Sequence, residues 1–477
     1  MRRPWFPQNL EGRFGLFALI VGVVYTFAIM GVVDRVSVFS GDDVTTSWQG
    51  RTLPLPELLL TPIDVHTVPL HRAVTFVLAQ LSPLNDHVAL GAMFAIHALS
   101  VWLLYRALES IRHSATNVFV VACYATFVHL GSLFSWWVAA VHRLPYLCCL
   151  GGALWAYSVF RRRLTLRLAV LIVATLVAGL GFFEKAVFIP LVLLCVEASL
   201  IVATPDERPR WRPLAALHGV LLALTVTFLV VWSHTVNRRM MGSFVTDFAY
   251  LAEYLRLSWS TLIGAVAGQI DGGPWLGAFA LTAIVVVTCT VRPGNAVVFV
   301  LAGALVSASL LVTALSSARM NLWGLFWTRC WRYYPDVMYV LAIFTGIALS
   351  QAARAPVLVR LSASRYRMVP GLVAAAALIL LARTSFVHGA RAVLGDSNTT
   401  RSRVYLDNVR AGIQRLQDEH EPLVFVDGMV PNYLQYFQDG RARHRVLLRA
   451  LGAEVQMTRP RHGAYRIDPD GNVVAIR

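Results

Sequence analysis

Phe14 to Val33 holds no charged residue and follows Arg2, Arg3 and Arg13. A run of about 20 apolar residues is long enough to cross a bilayer, and a single apolar run does so as a helix, because only then is its backbone satisfied within the segment. Comparable runs recur at about His87–Tyr105, Asn117–Val138, Tyr146–Phe160, Leu168–Phe183, Phe188–Ala203, Leu214–Trp232, Trp275–Val291, Ala296–Leu315, Val337–Leu349 and Val369–Leu381. The chain therefore reads as an all-α polytopic membrane protein with about 11 transmembrane helices. Apolar residues make up 57% of its 477 positions and charged residues only 14%, which excludes an ordinary soluble enzyme.

The net charge of +16 points to anionic lipid heads and cytoplasmic loops, not to nucleic acid. Arg161-Arg162-Arg163, the charged loop Asp206–Arg212 and the four arginines of Arg354–Arg367 read as inner anchors. By the positive-inside rule the N-terminus is cytoplasmic, and eleven crossings put the C-terminus outside, in a multi-pass plasma (inner) membrane protein. The long outer loop 34–86 contains Val65–Leu81, whose apolar spacing suits an interfacial helix, and Phe244–Ile263 reads the same way. Ala139–Pro145 reads as a tight outer turn carrying His142 and Arg143. The six cysteines lie mostly inside apolar runs and form neither a disulfide framework nor a metal pattern.

The composition changes near Arg383. Residues 1–382 read as the transmembrane domain and 383–477 as a small C-terminal α+β extramembrane appendage. Its expected elements are a helix at Arg403–Gln417 and strands at Leu423–Val426, Glu454–Met457, Ala464–Ile467 and Val473–Ile476. Asp427 reads as the Asp-Gly turn at a strand end. No internal repeat of the transporter kind is evident.

Asp42 and Asp43 follow the first span in Gly41-Asp-Asp-Val-Thr-Thr-Ser-Trp48. Carboxylates at the mouth of a membrane helix are costly to desolvate, so they are candidates for a general base or for binding a divalent cation. A solvated acid pair is the equal alternative on spacing alone. Asp64, His66, His71 and His87 lie in or beside the same loop without a recognised ligand spacing, which favours interfacial hydrogen bonding.

Order adds to this. The aspartate pair is followed by Pro69-Leu-His-Arg72 in an interfacial segment, then by a second span bearing His97. Ser135-Trp-Trp-Val-Ala-Ala-Val-His-Arg143, Gly181-Phe-Phe-Glu-Lys185 and Trp331-Arg-Tyr-Tyr-Pro335 come later. This series resembles the GT-C superfamily of integral membrane glycosyltransferases, nearest to the protein-O-mannosyltransferase-like branch and uncharacterised bacterial members. The Glu184-Lys185 order is the reverse of the family's Lys-Glu signature.

The resemblance implies sugar transfer from a polyprenyl-phosphate-linked donor to a glycan, lipid or protein acceptor on the outer face. It implies Asp43 as the acid-base residue, with Asp42 as helper or metal ligand. Lys185, Arg143, Arg332 and Arg72 are then donor-phosphate candidates, and Glu184, His66 and Tyr333 support them. Arginine suits bidentate phosphate recognition, and lysine supplies a compact charge; the alternative for each is a snorkelling anchor. Lys185 is the only lysine in the chain, and a pair with Glu184 beside it is the alternative to phosphate binding. A lipid-linked saccharide flippase or transporter, which would favour charges in mid-span, and a non-catalytic scaffold are the competing classes.

Overall fold

The computed structural model describes residues 10–39, 41–63, 66–203, 211–235, 245–270, 274–314, 324–353, 368–434 and 443–476. Asp64, residues 206–210 of the charged loop Asp206–Arg212 and all of the loop Arg354–Arg367 lie outside them. The apolar runs form helices as their hydropathy dictates. Eight helices among the described residues are long and apolar enough to cross a membrane. They are α1 (Leu10–Val33), α5 (Asp86–Ile111), α8 (Trp137–Arg163), α10 (Ile189–Ala203, with the 3₁₀ turn before it), α11 (Trp211–Thr235), α14 (Asn295–Ala314), α15 (Pro335–Ala352) and α16 (Met368–Gly395). Three shorter apolar helices are α6 (Ala115–Ala125), α9 (Leu166–Phe182) and α13 (Trp275–Val291). The fold is thus a polytopic helical membrane fold with a small C-terminal sheet.

Burial separates the centre from the lipid-facing ring. In α8 and α15, 83% and 89% of the apolar window is buried, against at most 44% in the other candidate spans. These two helices are the core, with α5 and α9 along α8 and α6 and α14 along α15. Gly151 of α8 allows close approach: a Cβ there would collide with the hydroxyl of Tyr339 on α15. That hydroxyl donates to the Ser100 carbonyl of α5 at 3.0 Å, so three helices share one buried polar link.

Two expectations are corrected. Asn117–Val138 is not one span. It divides into α6 and the short helix α7 (Leu130–Phe134), and the next helix begins at Trp137. Ala139–Pro145 is not a turn but the first two turns of α8, with Pro145 inside the helix. A proline removes one helical N–H, and in a tightly packed membrane helix neighbours tolerate that loss.

Between α1 and α5 the loop expected to lie outside forms α2 (Gly41–Thr52), α3 (Leu55–Leu60) and α4 (Pro69–Leu81). The predicted helix at Val65–Leu81 is α4, opened by Pro69 in the first turn, where a missing N–H does no harm. The other predicted interfacial helix is α12 (Phe248–Val266). The last apolar helix, α16, continues past residue 383 to Gly395. Beyond it come α17 (Ser397–Asp418), β1 (Val424–Val426), α18 (His444–Ala450), β2 (Gln456–Thr458), β3 (Tyr465–Ile467) and β4 (Val473–Ala475). The sheet order is β2-β1-β3-β4, with β1 parallel to both neighbours and β3 antiparallel to β4. Helix α18 packs on α2, which seats this C-terminal module on the first outer loop.

Candidate functional site

The first two turns of α8 gather most of the residues singled out by sequence. A helix leaves its first N–H groups unpaired and carries partial positive charge there. At α8 both needs are met by the first outer loop. The Val38 carbonyl accepts the Trp137 N–H at 2.8 Å, and the Asp43 carboxylate accepts the Val138 N–H at 2.9 Å. Asp43 is 1% exposed, whereas Asp42 beside it is half-buried. Both stand in the first turn of α2, where carboxylates favour that helix as well. The cavity touching Asp43 is about 10 Å³, room for one water, and is walled in part by Thr46, Ser47 and Thr75.

Arg143 lies five residues after Val138 on the same helix, roughly 7.5 Å along its axis at about 1.5 Å per residue. Its guanidinium carbon is 4.5 Å from the ring centre of Tyr333 and 5.1 Å from that of Phe183, and Nη1 donates to the Ala139 carbonyl at 3.2 Å. Lys185 reaches the same place from the 3₁₀ turn Glu184–Phe188. Its Nζ is 5.9 Å from the Phe183 ring and donates to Asp336 Oδ2 at 2.8 Å. Arg332 stacks over Trp136, with Cζ 3.8 Å from the ring centre. Asp43, Arg143, Lys185, Arg332 and Tyr333 are therefore neighbours of one helix end, although they come from four separate parts of the chain. Three cations stand there against Asp336, which also acts electrostatically on Arg143.

Glu184 does not pair with Lys185. Its two carboxylate oxygens take the His66 ring Nδ1 at 2.8 Å and the Thr67 N–H at 2.9 Å. His66 lies 4.9 Å from His142, which stacks on His71 at 4.3 Å and 16°. Burial, then the nearby Arg72 charge, hold the His71 imidazole well below its ordinary pKa. His87 is apart from this group, paired with Asp34 at 2.8 Å. Among the described residues no three His, Cys, Asp or Glu side chains are arranged to hold a metal ion.

Arg72 is held by hydrogen bonds of its own. Its guanidinium is 1% exposed and donates to the carbonyls of Thr61 and Pro62 at 2.8 and 2.9 Å and to Gln49 Oε1 at 2.8 Å. Those bonds hold the turn between α3 and α4 against α2. Asp427, after β1, takes the Arg445 N–H at 3.3 Å and has Arg443 and Arg445 within 3.5 Å, a local ion cluster far from α8 in sequence.

Asp336 was not foreseen. It opens α15, immediately after Trp331-Arg-Tyr-Tyr-Pro335, with 2% of its side chain exposed. A lone carboxylate at the edge of an apolar run is the signal that could have marked it, because such a charge needs a buried partner.

No family model and no curated protein matches the sequence. Among solved structures, the chain is similar to ArnT from Cupriavidus metallidurans bound to undecaprenyl phosphate. The TM-score is 0.51 at 18% identity, over 94% of this chain and 86% of that one. The apo state of the same protein gives 0.51 at 16% identity, over 92% and 85%. At this identity the likeness is one of fold alone. These structures lend no support to the nearer likeness to the protein-O-mannosyltransferase-like branch.

Proposed function

We propose that the protein transfers a sugar from a polyprenyl-phosphate-linked donor to an acceptor hydroxyl at the outer face of the membrane, with Asp43 as general base. The observation that carries the proposal is that Asp43 binds the first turn of α8, the helix whose start also gathers Arg143, Lys185 and Arg332. The fold of ArnT, which was solved with undecaprenyl phosphate, supports a lipid-linked donor. The orientation with N-terminus inside and C-terminus outside belongs to the same reading.

The chemistry follows from charge. Arg143, Lys185 and Arg332 face the monoanionic phosphodiester of the donor, with Asp336 paired to Lys185 and acting on Arg143. Asp43 takes the proton of the acceptor hydroxyl, whose oxygen attacks the anomeric carbon from the side opposite the phosphate. The anomeric carbon–oxygen bond breaks, and its electron pair leaves with the polyprenyl phosphate, stabilised by the cations. A carboxylate has about four acceptor positions, so binding the Val138 N–H is compatible with taking a proton. Phosphate is already a good leaving group, and one base suffices, unlike the two separated carboxylates of glycoside hydrolysis. His66 and Glu184 hold the approach to α4, and Tyr333 supports Arg143. Charges at one helix end, not in mid-span, favour an enzyme over a carrier.

The test is transfer by full-length protein in liposomes, using radiolabelled undecaprenyl-phosphate monosaccharides and a panel of glycan, lipid and peptide acceptors. Asp43→Asn is expected to lower transfer about 100-fold or more while undecaprenyl phosphate still binds. Transfer at the wild-type rate with normal folding overturns the base assignment. Movement of labelled lipid across the bilayer without product supports the carrier class instead.

A further inference from the structure

The C-terminal module meets the first outer loop through a buried carboxylate that the transfer chemistry does not use. Asp86, at the start of α5, is 3% exposed. Its Oδ1 accepts the Val38 N–H at 2.8 Å and the Ser37 hydroxyl at 3.0 Å. Its Oδ2 lies 3.2 Å from Nη1 of Arg403 and 3.8 Å from Nη1 of Arg410, both on α17. The Ser37 N–H also donates directly to the Thr399 carbonyl of α17 at 3.2 Å. Two consecutive loop residues are thus held by the module, one by its backbone and the other through Asp86.

The link continues to the candidate base. The Val38 carbonyl receives the Trp137 N–H at 2.8 Å, and the next N–H, of Val138, is the one bound by Asp43. A second contact bears on the helix that carries Asp43: the Ser47 hydroxyl of α2 donates to the Ala450 carbonyl at the end of α18, 3.2 Å away. Neither is a surface contact of the replaceable kind. A desolvated carboxylate that loses the nearer of its two cations keeps only Arg410 at 3.8 Å, so the Asp86–Arg403 junction resists loosening. Displacement of a reacting group by about 1 Å costs on the order of 100-fold in rate, so the placement of Asp43 matters to that tolerance.

We propose that Asp86 and Arg403 are positioning residues, through which the docked C-terminal module sets the placement of Asp43 for transfer. The proposal rests on Asp43 being the base. It gives the module a role in the reaction at a distance from the bond being broken.

The experiment uses full-length protein in lipid nanodiscs and five variants: Arg403→Gln, Arg403→Lys, Asp86→Asn, the control Arg466→Gln, and Asp43→Asn. Hydrogen exchange is followed over residues 37–47 and 137–141, and kcat is measured separately from KM with the labelled donor panel. Arg403→Gln is expected to speed exchange in both segments about tenfold and to lower kcat about 10- to 100-fold, leaving KM and undecaprenyl phosphate binding unchanged. Arg403→Lys, which keeps the charge, restores most of both. Arg466→Gln, at an exposed arginine of β3, changes neither. Asp86→Asn repeats the Arg403→Gln result if it folds, and the two Arg403 variants decide the matter if it does not.

Unchanged exchange in Arg403→Gln overturns the proposal. So does faster exchange with wild-type kcat, or a loss that Arg403→Lys fails to rescue. Wild-type transfer by Asp43→Asn overturns the base assignment and this proposal with it. Inactive Asp43→Asn beside a fully active Arg403→Gln overturns the positioning role alone.

Discussion

The Asp43 carboxylate caps a helix that begins 94 residues later: it accepts the N–H of Val138 at 2.9 Å in the first turn of α8. The same side chain is the candidate base. Structure and chemistry meet in one carboxylate, and variants can separate them.

Asn retains an acceptor oxygen for Val138, whereas Ala does not. Asp43→Ala is expected to lose about 1 kcal/mol of stability relative to Asp43→Asn, the usual worth of a cap, while both lose transfer. Thermal unfolding in detergent beside the transfer assay checks this. Equal stability of the two variants removes the capping role.

Lys185 and Asp336 form a pair with side chains only 7% and 2% exposed. Removing one partner of a buried pair typically costs about 3–5 kcal/mol, because the other charge is left without compensation. Lys185→Met is therefore expected to unfold at markedly lower temperature, and Lys185→Met with Asp336→Leu to recover most of that loss. Undecaprenyl phosphate binding should stay weak in the double variant. Full recovery of binding would make the lysine a purely structural cation.

Arg72 donates three hydrogen bonds from one planar group, a geometry lysine cannot reproduce. Arg72→Lys is expected to destabilise the protein by about 1–3 kcal/mol through carbonyls left unpaired. Undecaprenyl phosphate affinity, measured at a temperature where the variant is folded, is expected to be unchanged. A selective fall in affinity with normal stability returns Arg72 to the phosphate site.

His444 lies between α17 and the sheet, its Nε2 3.1 Å from the Tyr405 hydroxyl. Burial lowers its pKa below the ordinary 6.5, with the opposing influence of Asp427 smaller. The unfolded chain therefore takes up a proton as the pH falls through 6.5, and the folded module does not. Stability is complete above that pH and declines below it until the folded imidazole also titrates. Exchange of the β1 and β3 amides at about pH 5 and about pH 7.5 measures this, and His444→Gln is expected to reduce the difference.

Much of the fold is legible in hydropathy because a membrane helix satisfies its own backbone and needs only a local apolar run. That is why α1, α5, α11 and α13 to α15 begin and end near their expected limits, and why the short strands of the module fall where Gly and Asp-Gly turns delimit alternating residues. The break between α6 and α7 is not legible. The apolar run continues across it, while the start of α8 is decided by Val38 and Asp43, which supply the partners for its first N–H groups. Pro145 suggested a turn because its missing N–H is local information, whereas the packing of α8 that tolerates it is not.

The candidate site divides in the same way. The sequence order of Asp42-Asp43, Trp136, Arg143, Lys185 and Arg332 indicated a cluster at outer helix ends, and these residues do converge on α8. Their individual partners did not follow from it. Glu184 is next to Lys185 in the chain, yet binds His66 and Thr67, and the lysine binds Asp336, 151 residues away. Arg72 reads like its fellow cations, and its bonds to Thr61, Pro62 and Gln49 did not follow from its place in the chain.

By itself, then, the sequence determined the number and nature of the apolar segments, the strands of the tail and the collection of cations near the first-loop acids. All are local consequences of side-chain transfer energies and turn chemistry. Only the tertiary structure decided which charge meets which, as in Asp43 with Val138, Lys185 with Asp336 and Asp86 with Arg403. A buried charge must have a partner, but any opposite charge or unpaired N–H satisfies that requirement, and packing of distant helices selects one.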